Sequence, residues 1–297
     1  MTAKSDTNQP SQSASELLIR KMRRAELDVL VDWAEAEGWN PGLHDADVFW
    51  STDPDGFIAA ELHGELVGGG SIVNYGNVYG FMGFFIIHPD HRGCGLGNQL
   101  WHERLRLLKA RLVPAAAIGM DGVFDMQAYY AKGGFRFDCR DLRFEGRAAA
   151  CGKLENIVGI DELPFAVLEE YDRAHFPAPR STFLQQWVKQ TGTYAHAAVR
   201  DGNLAGFGVL RPCRVGYKFG PLFADDPDQA RNLFHSLCGQ VPGELVYLDV
   251  PENNPEAVRL AREEGMQEVF GCAKMYFGPK PCLPQDEIFG VTAFELG

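Results

Sequence analysis

The sequence predicts an α/β fold: a mixed sheet with helices on both faces, built twice along one chain. Three observations lead there. From about Leu17 to Gly146 the elements read strand, two helices, three strands, helix, strand, helix, strand. The second half repeats that order in outline, with few identities. And 297 residues are too many for one ordinary core.

The elements follow from local patterns. "ELLIRKM" (Glu16 to Met22) alternates like a strand. From Arg24 to Gly38, Leu27, Leu30, Val31 and Ala34 fall three and four apart, a helix face that stops at a glycine. "GWNPGLHDADVFW" reads as a loop and a short helix. "GFIAAEL" and "ELVGGGSIVNY" are strands hinged at His63-Gly64. "YGFMGFFIIHP" is too apolar for a half-exposed strand and belongs inside the sheet. After "HPDHRGCGLG", the segment "GNQLWHERLRLLKAR" spaces Leu100, Arg104, Leu107 and Leu108 as a helix. "AAAIGMDGV" is a buried strand, "DMQAYYAKGGF" a short helix, and "FRFDCRDLRFEG" closes with strands.

The implied division is a disordered leader over 1–15, a first domain over 16–147, a linker over 148–162 and a second domain over 163–297. In the second domain "TYAHAAVRDGNLAGFGVLRP" mirrors the first hairpin, and "GYKFGPLF" with "DPDQARNLFHSL" matches the buried strand and its helix. "ELVYLDV" and "NNPEAVRLAREEGM" echo "AAAIGMDGV" and "DMQAYYAKGGF", and "CAKMYFG" lies over "DLRFEG".

Composition excludes several functions. A net charge of −12 opposes a sequence-independent grip on nucleic acid. Seven scattered cysteines without a CxxC pair predict reduced, cytosolic thiols, hence a cytoplasmic protein. No spaced Cys or His cluster suggests a metal, and no apolar run reaches the roughly 20 residues of a membrane helix.

The stretch His88 to Gly97 carries the chemistry. A helix N-terminus presents unpaired amides and partial positive charge, so a phosphate fits there if no Cβ blocks it. Gly93, Gly95 and Gly97 remove those Cβ atoms, and Arg92 adds a charge. A Walker loop is excluded, because Gly-Lys-Ser/Thr is absent. A dinucleotide fingerprint is excluded by the spacing and by the place after the fourth strand.

The spacing Arg92-x-x-Gly95-x-Gly97 after a buried fourth strand resembles the GNAT superfamily of N-acetyltransferases, where R/Q-x-x-G-x-G/A cradles the pyrophosphate of acetyl-CoA. The resemblance implies a cofactor site formed by Ile86, Ile87, Arg92, Gly93, Cys94, Gly95, Leu96, Gly97 and Asn98. It implies a bulged fourth strand splayed from the fifth, with the Ile87 amide, or Ile86 beside it, polarising the thioester carbonyl. "YYAKGGF" resembles the family's Y-x-K-x-G-F segment and implies Tyr130 as general acid toward the CoA sulfur; Tyr129 is the neighbouring alternative and is expected in the core. The family's pantetheine-contacting asparagine is replaced by Val123. Cys94 reads as a loop filler, which leaves direct attack in a ternary complex. The general base is unassigned; His88, Tyr75, Asn74, His44 and Asp45 are weak candidates.

Trp39, Asn40, Asp45, Phe49, Trp50 and Tyr75 are the expected acceptor contacts, with Asp53 as a further carboxylate. One GNAT subgroup shares GWNPG (Gly38 to Gly42), DGV (Asp121 to Val123) and a T-x-x-E-L-G segment (Thr292 to Gly297) with this chain. It implies two tandem GNAT-like acyl-CoA N-acyltransferase folds. In the second, "FADDPDQA" has no glycine, and Asp225, Asp226 and Asp228 would repel pyrophosphate; an aspartate helix cap explains them. Ala261 stands where Tyr130 does, and Asn254 occupies the missing asparagine's place. The second domain is expected to lack the cofactor and to help shape the acceptor pocket.

The reading is an acetyl-CoA-dependent N-acetyltransferase acting on a primary amine of a small molecule or peptide, with no metal, no nucleic acid, no membrane and room for a homodimer. Its rival is a non-catalytic sensor that binds CoA or a small ligand.

Overall fold

The computed structural model describes residues 17–297; the expected leader lies outside them. The first half supplies β1 (Leu18–Lys21), α1 (Arg24–Ala36), α2 (Asp45–Thr52), β2 (Phe57–Leu62), β3 (Glu65–Tyr75), β4 (Tyr79–Ile87), α3 (Leu96–Arg111), β5 (Ala117–Val123), α4 (Gln127–Lys132) and β6 (Arg136–Arg147). The second supplies β7 (Ile157–Gly159), α5 (Phe165–His175), α6 (Ser181–Trp187), β8 (Tyr194–Arg200), β9 (Asn203–Pro212), β10 (Tyr217–Ala224), α7 (Pro227–Cys238), β11 (Leu245–Pro251), α8 (Pro255–Glu263), β12 (Gln267–Phe277) and β13 (Ile288–Gly290). The α/β class with a mixed sheet and the repeated element order both hold. The expected linker is more than a connection, because it contains β7, which pairs with β8.

All thirteen strands join one sheet, in the order β1-β2-β3-β4-β5-β12-β6-β11-β10-β9-β8-β7, with β13 against β10. Only β4–β5 and β10–β11 run parallel. The sequence division at 147 therefore does not separate two sheets. β12, from the second half, lies between β5 and β6, and β6 reaches across to β11. Each half lends its last long strand to the seam. Pairing preferences do not announce this, since both strands read as ordinary closing strands.

Side-chain alternation gives each strand one residue set per face. On one face, α3 and α4 cover a core that includes Leu100, Trp101, Leu108, Met120 and Tyr130. Further along, α7 and α8 cover another, with Leu233, Leu237 and Leu260. The remaining core is shared by both halves: Leu27, Leu30 and Phe49 of α1 and α2 pack in one cluster with Leu168, Phe183 and Trp187 of α5 and α6. The loop at Trp39 to Leu43 docks on the β9–β10 hairpin. Asn40 exchanges hydrogen bonds with Val215 at 3.0 and 2.9 Å, and the Arg214 amide donates to Pro41 at 3.1 Å.

Candidate functional site

The turn after β4 is a 3-10 turn over Pro89–His91, and α3 begins beyond Gly95. Gly93 and Gly95 have φ of +78° and +87°, which favours glycine, and a Cβ at either would meet nothing within 4 Å. The space in front of the helix is therefore open. No side chain caps α3, and the amides of residues 93–98 have no partner among the described residues. Arg92 is held beside them: its Nε donates to the Ile87 carbonyl at 2.8 Å, and its Nη2 pairs with Glu37. Unpaired amides, a positive helix end and a fixed guanidinium fit a diphosphate. Cys94 donates to the His91 carbonyl, which makes it part of the turn.

β4 and β5 pair only from Tyr79–Ala117 to Phe81–Gly119, then part. On the other edge of β4 the register slips between Ser71–Gly83 and Gly69–Ile86, so Phe84 and Phe85 stand opposite Gly70 alone. Phe84 has φ of +49°, unusual for a bulky residue. This is the expected bulge and splay. Beyond it the His88 amide donates to Val67 on β3 at 2.9 Å. Alternation then turns the Ile87 amide and carbonyl away from β3, toward the cleft, and that of Ile86 toward β3. The Arg92 contact with the Ile87 carbonyl agrees. Of the two expected backbone donors, the geometry favours Ile87.

The cleft between the splayed strands runs past Trp39, Ile87, Gly97, Asn98 and Val123 to Tyr129 and Tyr130. Tyr130 is buried, with its ring 4.9 Å from that of Trp101. Burial pushes its phenol up to about 12. Gly122 of the DGV motif makes room for it: a Cβ there would sit 2.4 Å from Tyr130 Cε2. Tyr129, expected in the core, instead lines the cleft and donates to Asn98 Oδ1 at 2.9 Å.

At Tyr130 the cleft shares Trp39, Phe85 and Val123 with an inner cavity of about 50 Å³, lined from both faces of the sheet where β4 and β5 part. One face offers Trp39, Phe270, Phe294, Asp121 and Glu295; the other offers Trp101, Met120 and Arg104. Arg104 is fully buried, and among the described residues its Nε and Nη1 have no hydrogen-bond partner. Its Nη2 donates to the carbonyls of Ser71 and Gly83, at 2.5 and 2.7 Å, which clamps the bulge in place.

Asp121 starts a row of buried charges that crosses the seam. Lys274 on β12 lies 3.6 Å from Asp121 and 2.6 Å from Asp141 on β6. Burial pushes both carboxyls up, against the pull of the one lysine between them. Arg143 pairs with Asp249 at 2.6 and 2.7 Å. Burial would raise Asp249, yet the arginine outweighs it and the carboxyl stands below its ordinary range. Arg143 and Lys218 also donate to the Trp39 carbonyl, at 2.7 and 3.4 Å, which fixes the GWNPG loop over the cavity.

Most of the expected acceptor wall is used for other purposes. Trp39 alone among those residues lines the cavity. Phe49 is core, between Phe84 and a stacked Trp187. Trp50 stacks on Phe57. Asp45 is fully buried and accepts from the Gly42 amide and from Arg211. Asp53 takes Arg111 at 2.7 Å through both oxygens. Tyr75 donates to the Leu296 carbonyl at 2.9 Å. Short-range patterns cannot foresee these partners, which come from distant segments. The base candidates fare likewise: Asn74 binds the Arg111 carbonyl, His44 starts α2, and His88 faces Trp33. Asp121 and Glu295, which line the cavity, were not among the expected site residues, although DGV and T-x-x-E-L-G contained them.

In the second half, Asp226 caps α7 by accepting from the Gln229 amide at 3.0 Å. Asp225 takes Tyr171 and Arg200. Asn254 caps α8 through the amides of Glu256 and Ala257. Ala261 is buried. Among the described residues no group of three or more His, Cys, Asp and Glu is placed to hold a metal, and no helix is long and apolar enough to cross a membrane.

Comparison with known proteins agrees with this geometry. Residues 20–135 match the sequence model of the acetyltransferase (GNAT) family, and 168–290 that of an acetyltransferase (GNAT) domain. A holothin acyltransferase of a Pseudoalteromonas strain is 28% identical over 279 residues, 92% of each chain. An acetyltransferase of Photorhabdus laumondii is 30% identical over 136 residues, 43% of this chain and 87% of its own. A solved structure from Pyrococcus horikoshii, assigned as an acetyltransferase, superposes with a TM-score of 0.81 at 22% identity, covering all of both chains.

Proposed function

The chain belongs to the GNAT acetyltransferase family, with two such domains in tandem, and from that premise we propose that its first half transfers an acetyl group from acetyl-CoA to a primary amine of a small molecule. One observation carries the reading: the glycine turn with its free amides, Ile87 and the Tyr130 ring line one cleft, and that cleft shares Trp39, Phe85, Val123 and Tyr130 with a cavity that also offers carboxylates. The relative's acceptor, holothin by its name, supports a small molecule over a protein.

Bound acetyl-CoA supplies an activated acyl thioester. The amides of residues 93–98 and Arg92 hold its diphosphate. The Ile87 N–H donates to the acyl oxygen as negative charge grows there; a preorganised donor of this kind lowers a barrier by about 3 kcal/mol. The Tyr130 hydroxyl donates to the departing sulfur. A phenol near 12 is a weaker acid than a thiol of about 8.5, so full proton transfer alone is uphill by about 5 kcal/mol. Tyr130 therefore passes a proton only as it regains one from the reacting nitrogen.

Acetyl-CoA should raise the melting temperature, and a panel of primary amines should release free thiol at rates that depend on the amine. Binding without thiol release from any amine would replace the enzyme by a sensor.

A further inference from the structure

We propose that Glu295, carried by the 291–297 segment of the second half, receives the acceptor's ammonium group and takes its proton. The inference rests on the amine-acetylation reading above and names the base that reading lacks.

Glu295 is only 3% exposed, yet it lines the inner cavity of the first half. Its Oε2 has no hydrogen-bond partner, and among the described residues no cation lies within salt-bridge distance of its carboxylate. A buried carboxylate left so is costly unless a ligand cation completes it. Of the neighbouring cations the two arginines already have carboxylate partners, Arg143 in Asp249 and Arg211 in Asp45, although Arg211 Nη1 is left without a hydrogen bond. Lys218 reaches only the Trp39 carbonyl, at 3.4 Å. Each feels the charge of Glu295.

The segment is also held in position. The Val291 amide donates to Asp249, Ser71 Oγ to the Glu295 carbonyl, and Tyr75 to the Leu296 carbonyl, at 2.9, 3.3 and 2.9 Å. Arg180, paired with Asp172, bonds Thr292 Oγ1 and the Gly297 carbonyl. The side chain is thus delivered on a tethered backbone, and Trp39, Phe270 and Phe294 give the cavity aromatic walls that suit a cation.

Asp121 is the competitor in the same cavity. It already faces a cation, Lys274 at 3.6 Å, which it shares with Asp141, and burial pushes its carboxyl up. Glu295 is the carboxylate without a cation.

An alkylammonium ion has a pKa near 10 and cannot attack until a proton leaves. Glu295 takes that proton and later releases it to solvent. The neutral nitrogen then forms the C–N bond as the C–S bond breaks. The nitrogen's second proton goes to Tyr130 as the Tyr130 proton goes to sulfur. The sum is ammonium plus thioester giving amide, thiol and one proton.

The test uses the full-length protein with Glu295→Gln, which keeps shape and leaves the Ser71 contact to the backbone. Two acceptors are compared at about pH 7: an alkylamine, protonated there, and an arylamine, neutral there. The expected result is a kcat loss on the order of 100-fold with the alkylamine and under about threefold with the arylamine. The acetyl-CoA melting shift should stay unchanged. Glu295→Asp, which retains the charge on a shorter arm, should recover part of the alkylamine rate and serves if the glutamine variant does not fold. Equal losses on both amines, or none on the alkylamine, would overturn the proposal alone. A wild-type protein inert toward every amine would overturn the acetylation reading and this inference with it.

Discussion

In the first half, β4 and β5 pair at three positions, separate, and leave a cleft between them. In the second, β10 and β11 pair at two positions and separate, and β13 lies in the gap, with Leu222 opposite Gly290 and the Val291 amide on the Asp249 carbonyl. The helices differ in the same sense. α3 starts at an uncapped glycine, whereas α7 starts at Asp226, whose carboxylate occupies the place an anion would take. Splayed strands and helix ends both expose backbone groups that need partners. One half meets that need with its own chain, and the other leaves it open. A shared fold therefore does not imply a shared site; the difference is a few residues at each opening.

The sharpest way to break this comparison is to give α3 the cap of α7. Gly95→Asp puts a carboxylate where the diphosphate would bind, and acetyl-CoA affinity measured by calorimetry should fall at least 100-fold, about 2.7 kcal/mol. Unchanged affinity would move the coenzyme elsewhere. In the wild-type protein the same titration should give one site per chain; two would remove the contrast between the halves. Next in size, Tyr130→Phe should lower kcat about 100-fold while acetyl-CoA affinity holds. A smaller effect sharpens the other side: Asp226→Ala should cost about 1 kcal/mol in denaturant unfolding and leave acetylation unaltered. The smallest concerns pH. Tyr130, raised by burial to about 12, keeps its proton at every lower pH, so kcat should show no alkaline fall owed to it between about pH 7 and 10. An alkaline limb in that range that vanishes in Tyr130→Phe would contradict the burial argument.

The parts legible in the sequence are those decided within a few residues. The glycine loop, the apolar fourth strand, the aspartate cap and the tyrosine of the short helix each carry their reason locally. What stayed hidden depends on partners far along the chain. Asp45 looked like an acceptor ligand until Arg211 reached it across 166 positions. Tyr75 looked available until Leu296 took its hydroxyl. Glu295 was visible only as part of a closing motif, because its place beside the first half's cavity comes from tertiary packing. The repeat was legible as pattern, but β6 and β12 carry no local mark of the side of the seam they join.

That crossing of β6 and β12 has a consequence for how the protein comes into being. As the polypeptide leaves the ribosome, β5 lacks one neighbour and β6 lacks both until the remaining strands have been made. The last of them, β12, runs to Phe277 and is made only after β7 to β11. A nascent first half thus carries open strand edges until β11 and β12 have been made, and its assembly is coupled to that of the second half.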